Sequence, residues 1–151
     1  MNGIKSMHRP SVGLDLDGTI LDFLVGYRAA QWNHNLLASL SEAGVQCVAV
    51  CTNQGGLGFG ERGAVRKDSG MPYPTLYQFV SRVESAWLAL KTYGIVLSDL
   101  RVSLFHPRLL QHEIDGVFYG IMRTRIEMPG MEMRLYRGSM HRKPNPGMIN
   151  D

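Results

Sequence analysis

The sequence predicts an α/β fold built on an open parallel sheet, and three observations carry that expectation. Apolar runs at Ser11 to Leu16, Val45 to Thr52 and Leu100 to Pro107 read as short buried strands. Stretches with apolar residues at helical spacing separate them, and strands alternating with helices favour βαβ units. Residues able to do chemistry follow the apolar runs directly: Asp15 and Asp17 close the first, and Thr52, Asn53 and Gln54 close the second. In an open parallel sheet, ligands bind beyond the carboxyl ends of the strands.

Each element has a local signature. The first strand, "SVGLDL", ends in two aspartates one residue apart. Trp32, Leu36, Leu37, Leu40 and Ala43 then recur at helical spacing, and Gly44 is a natural stop. "VQCVAVCT" is the second strand. The glycine-rich and charged stretch from Asn53 to Pro74 reads as a loop in which no clear helix opens. The clearest helix runs through "TLYQFVSRVESAWLALKTYG", with Leu76, Phe79, Val80, Val83, Trp87 and Leu90 as its apolar stripe, Thr75 as N-cap and Gly94 as stop. "LRVSLFHP" is the third strand, closed by Pro107. Beyond it, "GVFYGIMRTRIEMPGMEMRLYRG" alternates loosely around Pro129-Gly130. It reads as a β-hairpin that carries Arg123, Arg125, Arg134 and Arg137 either as a substrate-facing flap or as solvated surface.

Composition sets the outer bounds. With 151 residues, 44% of them hydrophobic and 19% charged, the chain suits one soluble domain with a real core. Its formal charge of +3 fits an anionic substrate but is too small to argue for nucleic acid. No apolar run approaches a membrane span, and "MNGIKSMHRP" lacks the apolar stretch of a signal peptide. The two cysteines, Cys47 and Cys51, sit four residues apart on a strand, about 13 Å from each other, too far to pair. A reducing, cytoplasmic setting follows from that usage.

Two like charges at the end of a buried strand are costly unless something positive meets them. Asp15 and Asp17 could hold a hard divalent cation through their oxygens, and Mg²⁺ takes only one or two carboxylates and keeps waters. Asp15 could also attack phosphorus as a nucleophile, with Asp17 protonating the leaving oxygen and later activating water. Thr52 and Asn53 offer donors for phosphate oxygens, and Lys143 a fixed positive charge for a phosphoryl group in transfer.

Taken in order, "DLDGTILD", "VCTNQGGLGFG" and "RKPNPGM" resemble the motifs of the haloacid dehalogenase-like (HAD) phosphatases. Within them the chain is most similar to the group that holds histidinol-phosphate phosphatase, heptose bisphosphate phosphatase and the polynucleotide 3′-phosphatase domain. That group is marked by a T-N-Q-x-G loop and an R-K-P-x-x-G-M segment. The resemblance spans Val12 to Met148, though from Glu61 to Met140 it lies in layout more than in residues. It implies a Rossmann-like parallel sheet of the HAD type in a single domain over residues 1–151, with core motifs at 12–22, 47–56 and 141–148 and the hairpin inserted at 108–140.

The resemblance also assigns roles. Asp15 becomes the nucleophile and a magnesium ligand. Asp17 becomes the general acid/base and ligates magnesium through its backbone carbonyl. Thr52 binds the transferring phosphate with Asn53 and Gln54 beside it, Lys143 holds Asp15 and phosphate in register, and Arg142 contacts substrate. The implied reaction is magnesium-dependent hydrolysis of a phosphomonoester, either a phosphorylated small molecule or a nucleic-acid 3′-phosphate end. The family places a further acidic motif on a strand some way beyond the lysine. Asp151 follows Lys143 too closely to be that residue, so the sheet is expected to be C-terminally incomplete. An unpaired sheet edge would result, met either by a homodimer or by the hairpin. The alternative is a phosphate-binding or interaction module of the same fold without catalysis, or a fragment of a longer phosphatase. His106 and His112 fall short of a zinc set and read as surface or helix-cap residues.

Overall fold

The protein is described here by a computed structural model, over residues 12–22, 31–124, 126, 128–145 and 147–150. Four strands, β1 (Val12–Leu14), β2 (Cys47–Asn53), β3 (Val96–Ser103) and β4 (Glu132–Tyr136), form one sheet in the order β1-β2-β3-β4. All three pairings are parallel: Val12 lies beside Val48, Val50 beside Leu100, and Leu100 beside Met133. The third strand begins at Val96 rather than Leu100, and Leu104 to Pro107 lead away from its end. The first predicted strand residue, Ser11, lies outside the described residues.

Each crossover carries a helix. Helix α1 (His34–Glu42) follows Asn33, whose side chain accepts from the Leu36 N–H, and it joins β1 to β2. A six-residue helix, α2 (Gly56–Glu61), and the long α3 (Leu76–Thr92) join β2 to β3. Helix α4 (Gln111–Thr124) joins β3 to β4. A 3₁₀ turn (Ser139–His141) and α5 (Gly147–Asn150) complete the described chain. The N-terminus of α3 is a capping box in which the Thr75 hydroxyl accepts from the Gln78 N–H and the Gln78 side chain accepts from the Thr75 N–H.

Strand order and handedness decide where the core lies. Parallel strands laid down in one direction with right-handed crossovers put every connecting helix on the same face. That face is the core: Val48, Val50, Leu100 and Val102 of the sheet meet Leu37 of α1, Phe79, Val83 and Leu90 of α3, and Ile114, Val117 and Ile121 of α4. Burial of each of these side chains is worth about 1.5–3 kcal/mol against exposure. On the other face Ala49, Cys51, Asp99 and Arg101 are only half-buried. The outer edge of β1 pairs with no strand among the described residues. No helix of the described residues is long and apolar enough to cross a membrane.

Two sequence expectations are corrected. The segment 108–140 is not a hairpin but α4 followed by β4, and β4 pairs with β3 at the edge opposite β1, so it does not cover the β1 edge. The physical reason is the period: Ile114, Val117 and Ile121 repeat every three to four residues and bury on one side. Gly116 and Gly120 sit inside the helix, and Gly120 lets α4 pass close to Leu76 of α3. The predicted flap arginines scatter with it. Arg123 ends α4, Arg134 lies on β4, Arg137 pairs with Asp115 at 3.2 Å, and Arg125 falls outside the described residues. The second correction is α2, hidden in the glycine-rich loop, where buried Leu57 and Phe59 override weak helix propensity.

Gly60 shows how closely this region packs, since a Cβ there would sit 1.9 Å from the Pro74 carbonyl oxygen. Gly116 in α4 faces open space, with nothing within 4 Å of a built Cβ. Gly60→Ala should therefore lower stability by about 1–3 kcal/mol, whereas Gly116→Ala should raise it by up to about 1 kcal/mol. Urea unfolding of both variants checks this; equal effects would contradict the packing around α2.

Candidate active site

The carboxyl ends of β1 and β2 and the segment after the 3₁₀ turn converge on one cavity of about 680 Å³. All seven residues singled out from the sequence line it: Asp15, Asp17, Thr52, Asn53, Gln54, Arg142 and Lys143. Residues more than 120 positions apart thus meet at the edge where the topology puts strand ends.

The two aspartates are partnered differently. Asp15 Oδ1 accepts from the Leu16 N–H at 2.8 Å and lies 3.0 Å from Lys143 Nζ. Its other oxygen, Oδ2, has no hydrogen-bond partner among the described residues, and the side chain is 45% exposed. Asp17 is enclosed by comparison. Its Oδ1 takes Arg82 Nε at 2.8 Å and Arg82 Nη2 at 2.7 Å, and its Oδ2 takes Gln54 Nε2 at 2.9 Å. A bound cation was expected beside the aspartate pair, and the chain itself also sets a positive side chain on each, Lys143 on Asp15 and Arg82 on Asp17.

The end of β2 ties these groups together. Thr52 is buried, and its Oγ1 accepts from Gln54 Nε2 at 2.9 Å. Gln54 is fixed in turn by its N–H, which donates to the Ser103 carbonyl of β3 at 2.7 Å. Asn53 grips the backbone of the lysine with both ends of its amide: Oδ1 accepts from the Lys143 N–H at 2.9 Å, and Nδ2 donates to the Lys143 carbonyl at 3.1 Å. The Lys143-Pro144 bond is cis. Arg142 Nη1 donates to the Phe105 carbonyl at 2.8 Å, passing over Gly55, where a Cβ would come within 2.9 Å of that nitrogen. Only glycine fits between that guanidinium and the strand end.

The outer wall is made by the stretch from Arg62 to Pro74, closed on itself by a bridge between Val65 and Pro72 and by Arg66 N–H donating to the Met71 carbonyl. Tyr73 stacks on Phe59 with ring centroids 5.0 Å apart, and the edge of His106 meets Phe59 at 4.9 Å. His106, read as a surface or helix-cap residue, lines the cavity. Its Nδ1 accepts from the Arg108 N–H at 3.1 Å, so the ring proton of the neutral form sits on Nε2. Burial, followed by the nearby Arg142 and Arg108 charges, pushes its pKa below the usual histidine value, which keeps the ring neutral at neutral pH. Cys51, at the other side of Lys143, has its thiol pushed up by burial, partly offset by Arg101 and Lys143.

The residue that sequence reasoning missed is Arg82. It is 6% exposed and belongs to the buried face of α3 with Phe79, Val83 and Ala86. The signal was present, because helical spacing places position 82 among the apolar positions, where a charge needs a partner. Among the described residues no group of three or more His, Cys, Asp or Glu side chains gathers as a metal set. With the Asp17 carboxylate taken by Arg82 and Gln54, Asp15 is the carboxylate left for a hard cation. One carboxylate oxygen together with a backbone carbonyl and waters is a donor set that suits magnesium.

Asn53→Ala should leave both backbone groups of Lys143 without their partners, at a cost of about 1–3 kcal/mol in unfolding free energy. Urea denaturation measures it, and an unchanged midpoint would contradict the grip described above. No protein-family model matches this chain, and no curated protein matches it.

Proposed function

We propose that the protein is a magnesium-dependent phosphomonoester hydrolase that works through an aspartyl-phosphate on Asp15. The observation that carries this reading is the pairing of Asp15 Oδ1 with Lys143 Nζ at 3.0 Å beside the enclosed Asp17, at the mouth of a cavity lined by Thr52 and Asn53. The resemblance of the three ordered motifs to the haloacid dehalogenase-like phosphatases points the same way.

In this reading Lys143 and the Leu16 N–H hold Asp15 by Oδ1 and leave Oδ2 to face the ligand. The Asp15 carboxylate forms a bond to phosphorus as the bond from phosphorus to the leaving oxygen breaks, and Asp17 gives that oxygen its proton. In the second half, water attacks the aspartyl-phosphate and gives a proton to Asp17. The bond between phosphorus and Asp15 breaks, and inorganic phosphate leaves. The Thr52 hydroxyl and the Lys143 ammonium stabilise the charge on the phosphoryl oxygens. Magnesium would be held by the Asp15 carboxylate and the Asp17 backbone carbonyl, and when bound it offsets the negative charge that phosphate brings to the two aspartates.

The cavity takes a phosphorylated small molecule, and its open mouth leaves room for a nucleic-acid 3′-phosphate end. A second reading, a phosphate-binding module without turnover, draws on the absence of a third carboxylate beside Asp15 among the described residues. Magnesium-dependent release of phosphate from p-nitrophenyl phosphate separates the two. The parent chain should turn over, and Asp15→Asn should lose at least about 1,000-fold in kcat while keeping the parent's circular dichroism and melting curve. Phosphate binding without release by either protein would favour the second reading.

A further inference from the structure

A buried arginine on the core face of a helix is costly, because its charge is taken from water and a well-packed apolar residue is often at least as stable in its place. Arg82 is 6% exposed, and one of its nitrogens, Nη1, is buried with no hydrogen-bond partner among the described residues. Its other two nitrogens converge on Asp17: Nε and Nη2 both reach Oδ1, and Nη2 also donates to the Asp22 carbonyl. Asp17 Oδ2, by contrast, is held by the single neutral amide of Gln54 at 2.9 Å. The two oxygens of one carboxylate are therefore unequal. Oδ1 faces a full positive charge through two bonds and Oδ2 a neutral amide through one, so Oδ1 is held the more firmly.

We propose that Arg82 is a positioning residue that anchors Asp17 by Oδ1 and so makes Oδ2 the working oxygen, the one that exchanges Gln54 for the leaving oxygen of the substrate. The inference rests on the phosphatase reading above. In the transfer step the bond from Asp15 to phosphorus forms while the bond to the leaving oxygen breaks. When substrate displaces Gln54, Oδ2 takes up a proton from solvent and passes it to that oxygen, which leaves as an alcohol, and Asp17 returns to the carboxylate paired with Arg82.

Leaving-group dependence tests this, because a purely structural arginine would affect all substrates alike. The value of kcat/KM reports on steps up to formation of the aspartyl-phosphate and excludes its hydrolysis. The p-nitrophenolate ion leaves without a proton, whereas the alcohol of glycerol 2-phosphate needs one. Arg82→Met should lower kcat/KM for glycerol 2-phosphate by about 100-fold or more and for p-nitrophenyl phosphate by less than about 10-fold. Arg82→Lys, which keeps the charge and loses the fork, should fall between. It carries the same comparison if the methionine variant fails to fold. Equal losses on both substrates would overturn the inference while leaving the phosphatase reading standing. No turnover of either substrate by the parent protein would overturn that reading, and the inference with it.

Discussion

Two aspartates one residue apart at the end of β1 repel each other, and the architecture around them is arranged to meet that repulsion. Each is given its own cation from a different part of the chain, Lys143 for Asp15 and Arg82 for Asp17. The two pairs do different work. The Asp15–Lys143 pair is partly open to solvent and leaves one carboxylate oxygen available to a ligand. The Asp17–Arg82 pair is shielded by the core face of α3, so its charge interaction is less screened. An open carboxylate beside an enclosed one is an asymmetry that suits a nucleophile next to a proton carrier.

The end of β2 makes that asymmetry possible. Thr52, Asn53 and Gln54 are consecutive, yet each secures a different partner: Thr52 receives Gln54, Asn53 grips the Lys143 backbone, and Gln54 reaches Asp17. Gln54 is itself fixed to β3 through the Ser103 carbonyl. Position in the site is thereby tied to sheet register, and a slip of β2 against β3 would shift both the Asn53 grip on Lys143 and the Gln54 bond to Asp17. Rigid support of this kind is what a site needs to hold reacting groups within tenths of an ångström.

Much of this was legible in the residues. Apolar runs located β1, β2 and the second half of β3, and the rule that ligands sit beyond strand ends brought Asp15, Asp17, Thr52 and Asn53 to one edge. The capping box at Thr75 and the stop at Gly94 bounded α3. The remainder was hidden by competing signals. Loose alternation around Pro129-Gly130 masked the helical period of Ile114, Val117 and Ile121, so α4 and β4 read as a hairpin. Gly56, Gly58 and Gly60 concealed α2, because packing of Leu57 and Phe59 outweighs local propensity. Arg82 was missed because the apolar stripe around it was read as uniform, although a charge inside such a stripe is the informative exception.

The central claim is that Asp15 takes the phosphoryl group onto its own carboxylate. Rapid acid quenching during turnover of p-nitrophenyl phosphate with magnesium, followed by peptide mass spectrometry, tests it most directly. The account predicts the mass of one added phosphoryl group on the peptide containing Asp15, removed by hydroxylamine and absent from the Asp15→Asn protein. Turnover with no label at Asp15, or with the label on another residue, would contradict it.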